Sequence, residues 1–215
     1  MSAKLVIIGA GGFGREASLL VEEINEQNSE KEKWHLYGFI DEDEKLGGQT
    51  RRGYPIYAGW EAIHNLSDNL ACIVVVGDTE AKKKLANKAV KAGLAFASLV
   101  HPGVCLNEEV SIGNGVLINK GCLLTTNIKI GDHVSINPGC GIGHDAVIDA
   151  YSTLMWRVNI SGNVHIKAGC LIGTGATILQ GLTVGEGVTV GAGAVVTEDL
   201  PAGCTAAGVP ARIVK

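Results

Sequence analysis

The stretch SINPGCGIGHDAVIDAYSTL, residues 135–154, decides the fold because one kind of residue returns in it at every sixth place: Ile136, Ile142, Ile148 and Leu154. Stepping outward by six gives Val100, Leu106, Ile112, Ile118, Leu124 and Ile130 before it, and Ile160, Ile166, Ile172, Ile178, Val184, Val190 and Val196 after it. Every one is aliphatic, and such fixed-period self-similarity marks a repeat architecture. Period six fits neither a lone helix nor a simple hairpin sheet, whose faces recur at 3.6 and 2 residues. It fits a chain wound as a triangular prism with one short strand per face. Three hexads then make a coil, and residues eighteen apart stack at about 4.8 Å. The aliphatic column fills the prism, and the residue after it is often glycine, as at Gly113, Gly131, Gly143, Gly173, Gly185 and Gly191.

The same register explains the thiols. Cys122, Cys140 and Cys170 each lie two residues before a column member, in a slot mostly held by Val, Ala or Ser. They read as small core fillers. The six cysteines show no CxxC spacing, and nothing marks the chain as secreted, so reduced thiols are expected. His133, His144 and His165 occupy three different phases of the hexad. That disfavours their convergence on one zinc, and no metal is expected.

Ahead of the repeat, KLVIIGAGGFGREASLLVEEI reads as a buried strand from Lys4 to Ile8, a glycine loop, and an amphipathic helix from about Arg15 to Ile24. WHLYGFID is a second strand ending at Asp41, CIVVVGD a third ending near Gly77, and EAKKKLANKAVKAG a helix; AFASLV leads into the repeat. The alternation predicts a parallel α/β unit over residues 1–97, followed by the repeat domain and its tail over 98–215. Gly9, Gly11 and Gly14 match GxGxxG. That motif is weak alone, since a tight strand-to-helix turn also explains it. Glycines at a helix start nevertheless let backbone amides approach phosphate. The unit has room for one mononucleotide half, so a nucleotide diphosphate suits it better than a complete NAD site. Asp41 and Glu42, at the end of the second strand, are placed to meet a base or ribose, and Gly77 would line the same crevice.

The chain has 215 residues, 46% hydrophobic and 19% charged, with a formal net charge of -4. These values describe a globular protein able to bury a core. Its basic residues are scattered, which argues against nucleic acid and anionic membranes as partners. No apolar run approaches the roughly 20 residues that spanning a bilayer requires, and the expected compartment is the cytoplasm.

The hexapeptide series, GHDAVID, SGNVHIKAGCLIGTGATILQG and the ending VGAGAVVTEDLPAGCTAAGVPARIVK together resemble the left-handed β-helix acyltransferases. With VIIGAGGFGREA and GFIDED in front, nearly the whole chain is similar to the branch that acetylates sugar nucleotides or sialic acid, including bacillosamine and perosamine N-acetyltransferases. The resemblance implies a small Rossmann-like unit holding a sugar nucleotide, followed by a left-handed parallel β-helix. It also implies a homotrimer with acetyl-CoA lying between neighbouring β-helices. Carried over residue by residue, it makes His144 the base and Asp145 its supporting acid. It matches Gly11, Gly12, Phe13, Asp41, Glu42 and Gly77 to nucleotide contacts, and Gly162, Thr174 and Ala192 to acetyl-CoA contacts. Many relatives carry a histidine where Thr153 stands; Thr153 retains a hydrogen-bonding group toward the acetyl donor but cannot be a base. At Phe13 some relatives use a polar residue.

The residues themselves agree with this reading. His144 follows Ile142 by two places, so its side chain is expected to point outward, and Gly162 stands eighteen residues on, one coil away. A glycine there leaves an amide beside the imidazole, as needed to steady an oxyanion while a base takes a proton. An adjacent carboxylate favours imidazolium and orients the ring. By chemistry alone the pair reads first as a surface histidine beside an acid; the stacked Gly162 and the resemblance turn the reading toward catalysis. Tyr151 and Trp156, the aromatic residues after Phe96, serve either trimer packing or the substrate pocket. The expected function is acetyl-CoA-dependent N-acetylation of a 4-amino sugar nucleotide for surface glycan synthesis. O-acetylation of sialic acid, a catalytically silent trimeric nucleotide-sugar-binding protein and a nicotinamide-dependent oxidoreductase are the alternatives.

Overall fold

The computed structural model describes residues 3–30, 32–66 and 69–215 and, at 64 and 65, the backbone alone. It separates into two compact units that meet in sequence at Leu99 and Val100.

In the first unit, β1 (Ala3–Ile8) leads through the glycine loop into α1 (Gly12–Gln27) and then β2 (Trp34–Asp41). Leu5 to Ile8 are buried because β1 is central, paired in parallel with β2 on one side and β5 (Leu70–Val74) on the other. A short strand β3 (Thr50–Arg51) turns at Arg52 and Gly53 into β4 (Tyr54–Ala58), and α2 (Thr79–Lys91) and β6 (Ala95–Phe96) follow β5. The sheet order is β3-β4-β2-β1-β5-β6. The order reverses about β1, which is where an open α/β sheet forms a ligand crevice at the carboxyl ends of its strands.

Helix α1 begins at Gly12, three residues ahead of the expected start at Arg15. Its buried stripe, Ala17, Leu20, Val21 and Ile24, docks it on the sheet, and that tertiary packing draws the poor helix formers Gly12 and Gly14 into the first turn. Helix α2 is capped by Asp78, whose side chain accepts from the Ala81 amide at 2.7 Å, with Glu80 in its first turn and Lys88 and Lys91 in its last. These charges complement the helix dipole. The β3–β4 hairpin was not anticipated from the sequence; its signal is the Arg52–Gly53 pair, with φ of 50° and 83°, as a two-residue hairpin turn requires.

The second unit is a left-handed parallel β-helix. Its three sheets carry the predicted column in eighteen-residue register. Ile118, Ile136, Leu154, Ile172 and Val190 pair in one sheet, and Ile112, Ile130, Ile148, Ile166 and Val184 in a second. Leu124, Ile142, Ile160, Ile178 and Val196 pair in the third. These residues form one continuous core, with Cys122, Cys140, Cys170 and Cys204 buried among them. The six cysteines are free thiols, and Cys105 is exposed. Burial pushes the Cys170 thiol up to about 11, as expected for an inert filler. At the carboxyl end, Thr205–Ala207 continues one sheet in parallel, and Arg212–Ile213 returns antiparallel on it.

Each prism corner is a turn whose second residue adopts a left-handed conformation. These residues recur every six places from 115 to 193, and Asn127, His133, Asp145, Tyr151, Arg157 and Asn163 occupy the position without being glycine. Asn and Asp tolerate that conformation by local hydrogen bonding, whereas Tyr151 and Arg157 hold it at a cost of order 1–2 kcal/mol each. The corners lift side chains off the prism.

Candidate active site

His144 and Asp145 form the corner after the strand Gly141–Ile142. Asp145 sits at the left-handed position, φ 59°, which brings its carboxylate back to the preceding residue. His144 Nδ1 lies 2.7 Å from Asp145 Oδ2. The other carboxylate oxygen, Oδ1, accepts from Asn127 Nδ2 at 2.6 Å, from the same corner one coil earlier. The His144 imidazole and the Asn127 amide hold the Asp145 carboxyl below its usual range. An ionised carboxylate only accepts, so the proton between them resides on Nδ1, and in the neutral form of the ring the lone pair is on Nε2. The His144 side chain is 58% exposed. The ring as a whole is thus open to solvent, with Nε2 as its free base position in the neutral form.

Gly162 is the next residue up this corner, as the register predicted. A Cβ on Gly162 would stand 2.5 Å from His144 Nε2 and 2.6 Å from Cε1. The imidazole therefore lies against a glycine that has no side chain to displace it. The neighbouring Asn163 amide donates to the His144 carbonyl at 2.8 Å, whereas among the described residues the Gly162 amide donates to no backbone acceptor. Asn127 was missed in the sequence, although its place eighteen residues before Asp145 was the available signal.

Thr174 and Ala192 are stacked one coil apart on a different corner, with the Gly193 amide donating to the Thr174 carbonyl at 2.8 Å, and both are exposed. Trp156, 43% exposed, stands on this corner one coil before Thr174. Thr153 lies between Ser135 and Leu171 in the sheet that joins the Tyr151 corner to the Trp156 corner, and it has no exposed surface. Within one chain, the His144–Gly162 corner and the Thr174–Ala192 corner do not come together. Tyr151 belongs to the third corner, where its ring stacks on His133 with centroids 4.9 Å apart. A second pair, His165 Nε2 with Asp149 Oδ2 at 2.9 Å, turns Nε2 toward a carboxylate and lies half-buried on a prism face.

In the first unit, the three motif glycines divide by cause. A Cβ on Gly14 would meet the Gly9 carbonyl oxygen at 2.0 Å, and one on Gly9 the Val75 carbonyl oxygen at 2.7 Å, so both are demanded by packing. Gly11 has nothing within 4 Å. Helix α1 starts there with no side-chain cap and no acidic residue in its first turn. Its leading amides, at Gly12, Phe13 and Gly14, have no acceptor within the helix, and they carry the positive end of its dipole. Gly12 is exposed and Phe13 half-buried beside it. Asp41 Oδ2 accepts from the Ala10 amide at 2.8 Å and Oδ1 from the Asp43 amide at 3.0 Å, so this carboxylate braces the glycine loop against the end of β2. Gly77 is exposed with open space at its Cβ position.

A cavity of about 430 Å³ opens at these strand ends, lined by Gly9, Asp41, Glu42 and Val76 and by Lys84 and Lys88 of α2, among others. Glu42 Oε1 accepts from Trp60 Nε1 at 2.7 Å and pairs with Lys88. Lys88, then Trp60, hold the Glu42 carboxyl below its usual range. Neither Trp60 nor the α2 lysines were picked out in the sequence. The spacing of Lys84, Lys88 and Lys91, one helical stripe, was the signal. Among the described residues no group of three or more His, Cys, Asp or Glu side chains is gathered as a metal cage, and no helix is long and apolar enough to cross a membrane.

A family model described as the PglD N-terminal domain matches residues 4–89, and one described as bacterial transferase hexapeptide (six repeats) matches 158–198. WeeI from Acinetobacter baumannii AYE is 35% identical over 100% of each chain, with a TM-score of 0.88. A histidine-to-asparagine variant of perosamine N-acetyltransferase from Caulobacter crescentus, in complex with CoA and GDP-perosamine, is 28% identical over 99% of this chain and 97% of that one, with a TM-score of 0.88. The acetyltransferase domain of PglB from Neisseria gonorrhoeae FA1090, in complex with acetyl coenzyme A, is 28% identical over 100% of each chain, with a TM-score of 0.77. No curated protein matches significantly. With a Rossmann-like unit in front of a hexapeptide coil along its whole length, and a relative 35% identical over that length, this chain belongs to the left-handed β-helix acetyltransferases of the bacillosamine and perosamine N-acetyltransferase type.

Proposed function

We propose that this acyltransferase moves the acetyl group of acetyl-CoA onto the amino group of a 4-amino sugar nucleotide, with His144 as general base. One observation carries the reading: Nδ1 of His144 is tied to an ionised Asp145 at 2.7 Å, and its Nε2 side rests against Gly162. His144 Nε2 takes a proton from the sugar amine as the nitrogen attacks the thioester carbonyl carbon. The Gly162 amide donates to the tetrahedral oxyanion, and Asp145 stabilises the imidazolium that forms. The C–S bond then breaks, and the imidazolium returns the proton to the departing CoA thiolate. The product is an amide plus CoA, with no metal and no covalent enzyme intermediate in the sequence of steps.

The exposed Thr174–Ala192 corner, a different corner from that of His144, supports a homotrimer in which the acetyl-CoA of one active site lies between the His144 corner of one chain and the Thr174 corner of the next. The uncapped start of α1, with open space at Gly11, supports the diphosphate of the sugar nucleotide sitting on the amides of Gly12 and Phe13. The perosamine enzyme is held with CoA and GDP-perosamine, which favours the amino-sugar acceptor over sialic acid.

The test is to incubate the protein and its His144→Ala variant with acetyl-CoA and either a 4-amino sugar nucleotide or free sialic acid, following thiol release and product mass. Wild type should acetylate the amino sugar, and the variant should lose roughly 100- to 10,000-fold in turnover while keeping its melting temperature. Undiminished turnover by His144→Ala would remove the base assignment. Sedimentation showing a fully active monomer would remove the shared site.

A further inference from the structure

The cavity at the carboxyl ends of β1, β2 and β5 has an aromatic wall that the glycine motif does not explain. Trp60 stands at the start of a 3₁₀ helix (Trp60–Asn65), just after β4. Among the described residues lining the 430 Å³ cavity it is the one aromatic, and Ile40, Val76 and Leu85 are among the aliphatic side chains that line the same space. The indole has a single polar atom, and Glu42 Oε1 accepts from it at 2.7 Å. Lys88 pairs with the same carboxylate from α2, so the indole is linked through Glu42 to that helix. With its N–H satisfied, the ring offers the cavity only its π-surface and edge. The lining thus combines one aromatic ring, several aliphatic side chains and three lysines, Lys84, Lys88 and Lys91, beside the carboxylates of Asp41 and Glu42. That combination suits a flat heteroaromatic ring attached to an anion.

We propose that Trp60 is the platform on which the nucleobase of a nucleoside diphosphate stacks, and that Glu42 is a positioning residue holding the indole in place. This rests on the reading that the first unit binds a sugar nucleotide, and it deepens that reading by naming what recognises the base. It also reassigns Glu42, which the resemblance put in direct contact with the nucleotide. Because a stacking face accepts any base, the platform contributes affinity, and discrimination between bases falls to the polar groups at the rim.

Calorimetry on the full chain, with GDP, UDP and base-free pyrophosphate as probes and acetyl-CoA as the control ligand, tests this. Trp60→Ala should weaken GDP and UDP by roughly 10- to 100-fold, the range for losing one base stack, and leave pyrophosphate and acetyl-CoA within about twofold. Trp60→Phe, which keeps an aromatic face, should recover most of the nucleotide affinity, and it tests the idea even if the alanine variant folds poorly. Nucleotide-induced quenching of tryptophan fluorescence should disappear in Trp60→Phe, although Trp34 and Trp156 remain. Wild-type nucleotide affinity in Trp60→Ala, or an equal loss for pyrophosphate, would overturn the platform while leaving the nucleotide site standing. Failure of wild type to bind either nucleotide would overturn the site itself, and the platform with it.

Discussion

Gly162→Ala tests the placement of the imidazole, with saturating acetyl-CoA compensating for any weakening of the donor, whose proposed site Gly162 also lines. The added Cβ would stand 2.5 Å from His144 Nε2, 2.6 Å from Cε1 and 3.0 Å from Cδ2. Ordinary contacts between such atoms begin near 3.5 Å, so the ring must retreat by roughly 1 Å. The imidazole is the far end of an exposed side chain and will move, carrying Nε2 away from the position set by the 2.7 Å contact with Asp145. Misplacement of a reacting group by about 1 Å can cost around 100-fold in rate. The variant keeps the Gly162 amide, so any oxyanion donor survives. Gly162 is not among the glycines at positive φ, and the site lies outside the packed core, so stability should change by no more than about 0.5 kcal/mol. The expected result is kcat down roughly 100-fold with an unchanged melting temperature, measured by thiol release under saturating donor and by thermal melt. Wild-type kcat in Gly162→Ala would mean that the position of this imidazole does not matter to the chemistry, and the base assignment would fall with it.

Two glycines of one motif should part company. Gly14→Ala drives a methyl to 2.0 Å from the Gly9 carbonyl and should destabilise the first unit by about 1–3 kcal/mol in denaturant melts, whereas Gly11→Ala meets nothing within 4 Å and should melt normally while weakening nucleotide diphosphates. Normal nucleotide affinity in Gly11→Ala would place the diphosphate elsewhere. Ile166→Ala empties a fully buried column position and should cost about 2–5 kcal/mol by denaturant unfolding; a cost under 1 kcal/mol would argue against a rigid interior. Asp145 has a lowered pKa, so whatever its pairing contributes is present above the unfolded-state value and lost as pH falls through the lower folded one. Asn127→Ala removes one of the two hydrogen bonds responsible, and the Asp145 carboxyl midpoint followed by NMR should rise toward 3.8. An unmoved midpoint would show that the amide does not hold this carboxylate.

The repeat could be read directly because its information is one-dimensional. A coil of three hexads puts residue i over i+18 whatever else happens, so the aliphatic column, the buried thiols at 122, 140 and 170, and the stacking of Gly162 beside His144 all follow from counting. The parallel α/β unit was legible for a similar reason, since strand and helix periods differ and each element is local. The β3–β4 hairpin was not read: its two-residue turn is built on Arg52, and its flanking strands are too short to declare a period.

What only the tertiary structure decided is how side chains from unrelated positions share a space. Trp60, Glu42 and Lys88 meet because the sheet order sets the end of β4 and the face of α2 around one crevice, and no spacing in the chain encodes that meeting. The direction of the Asp145 carboxylate likewise depends on a left-handed corner, φ 59°, and on Asn127 one coil below. The separation of the three motif glycines into two required by neighbouring carbonyls and one left open depends on contacts between β1, α1 and the end of β5. The identities of these residues are written in the sequence. Their roles arise from distances that periodicity does not specify, because hydrogen bonds and steric exclusion act over a few ångströms between residues tens of positions apart.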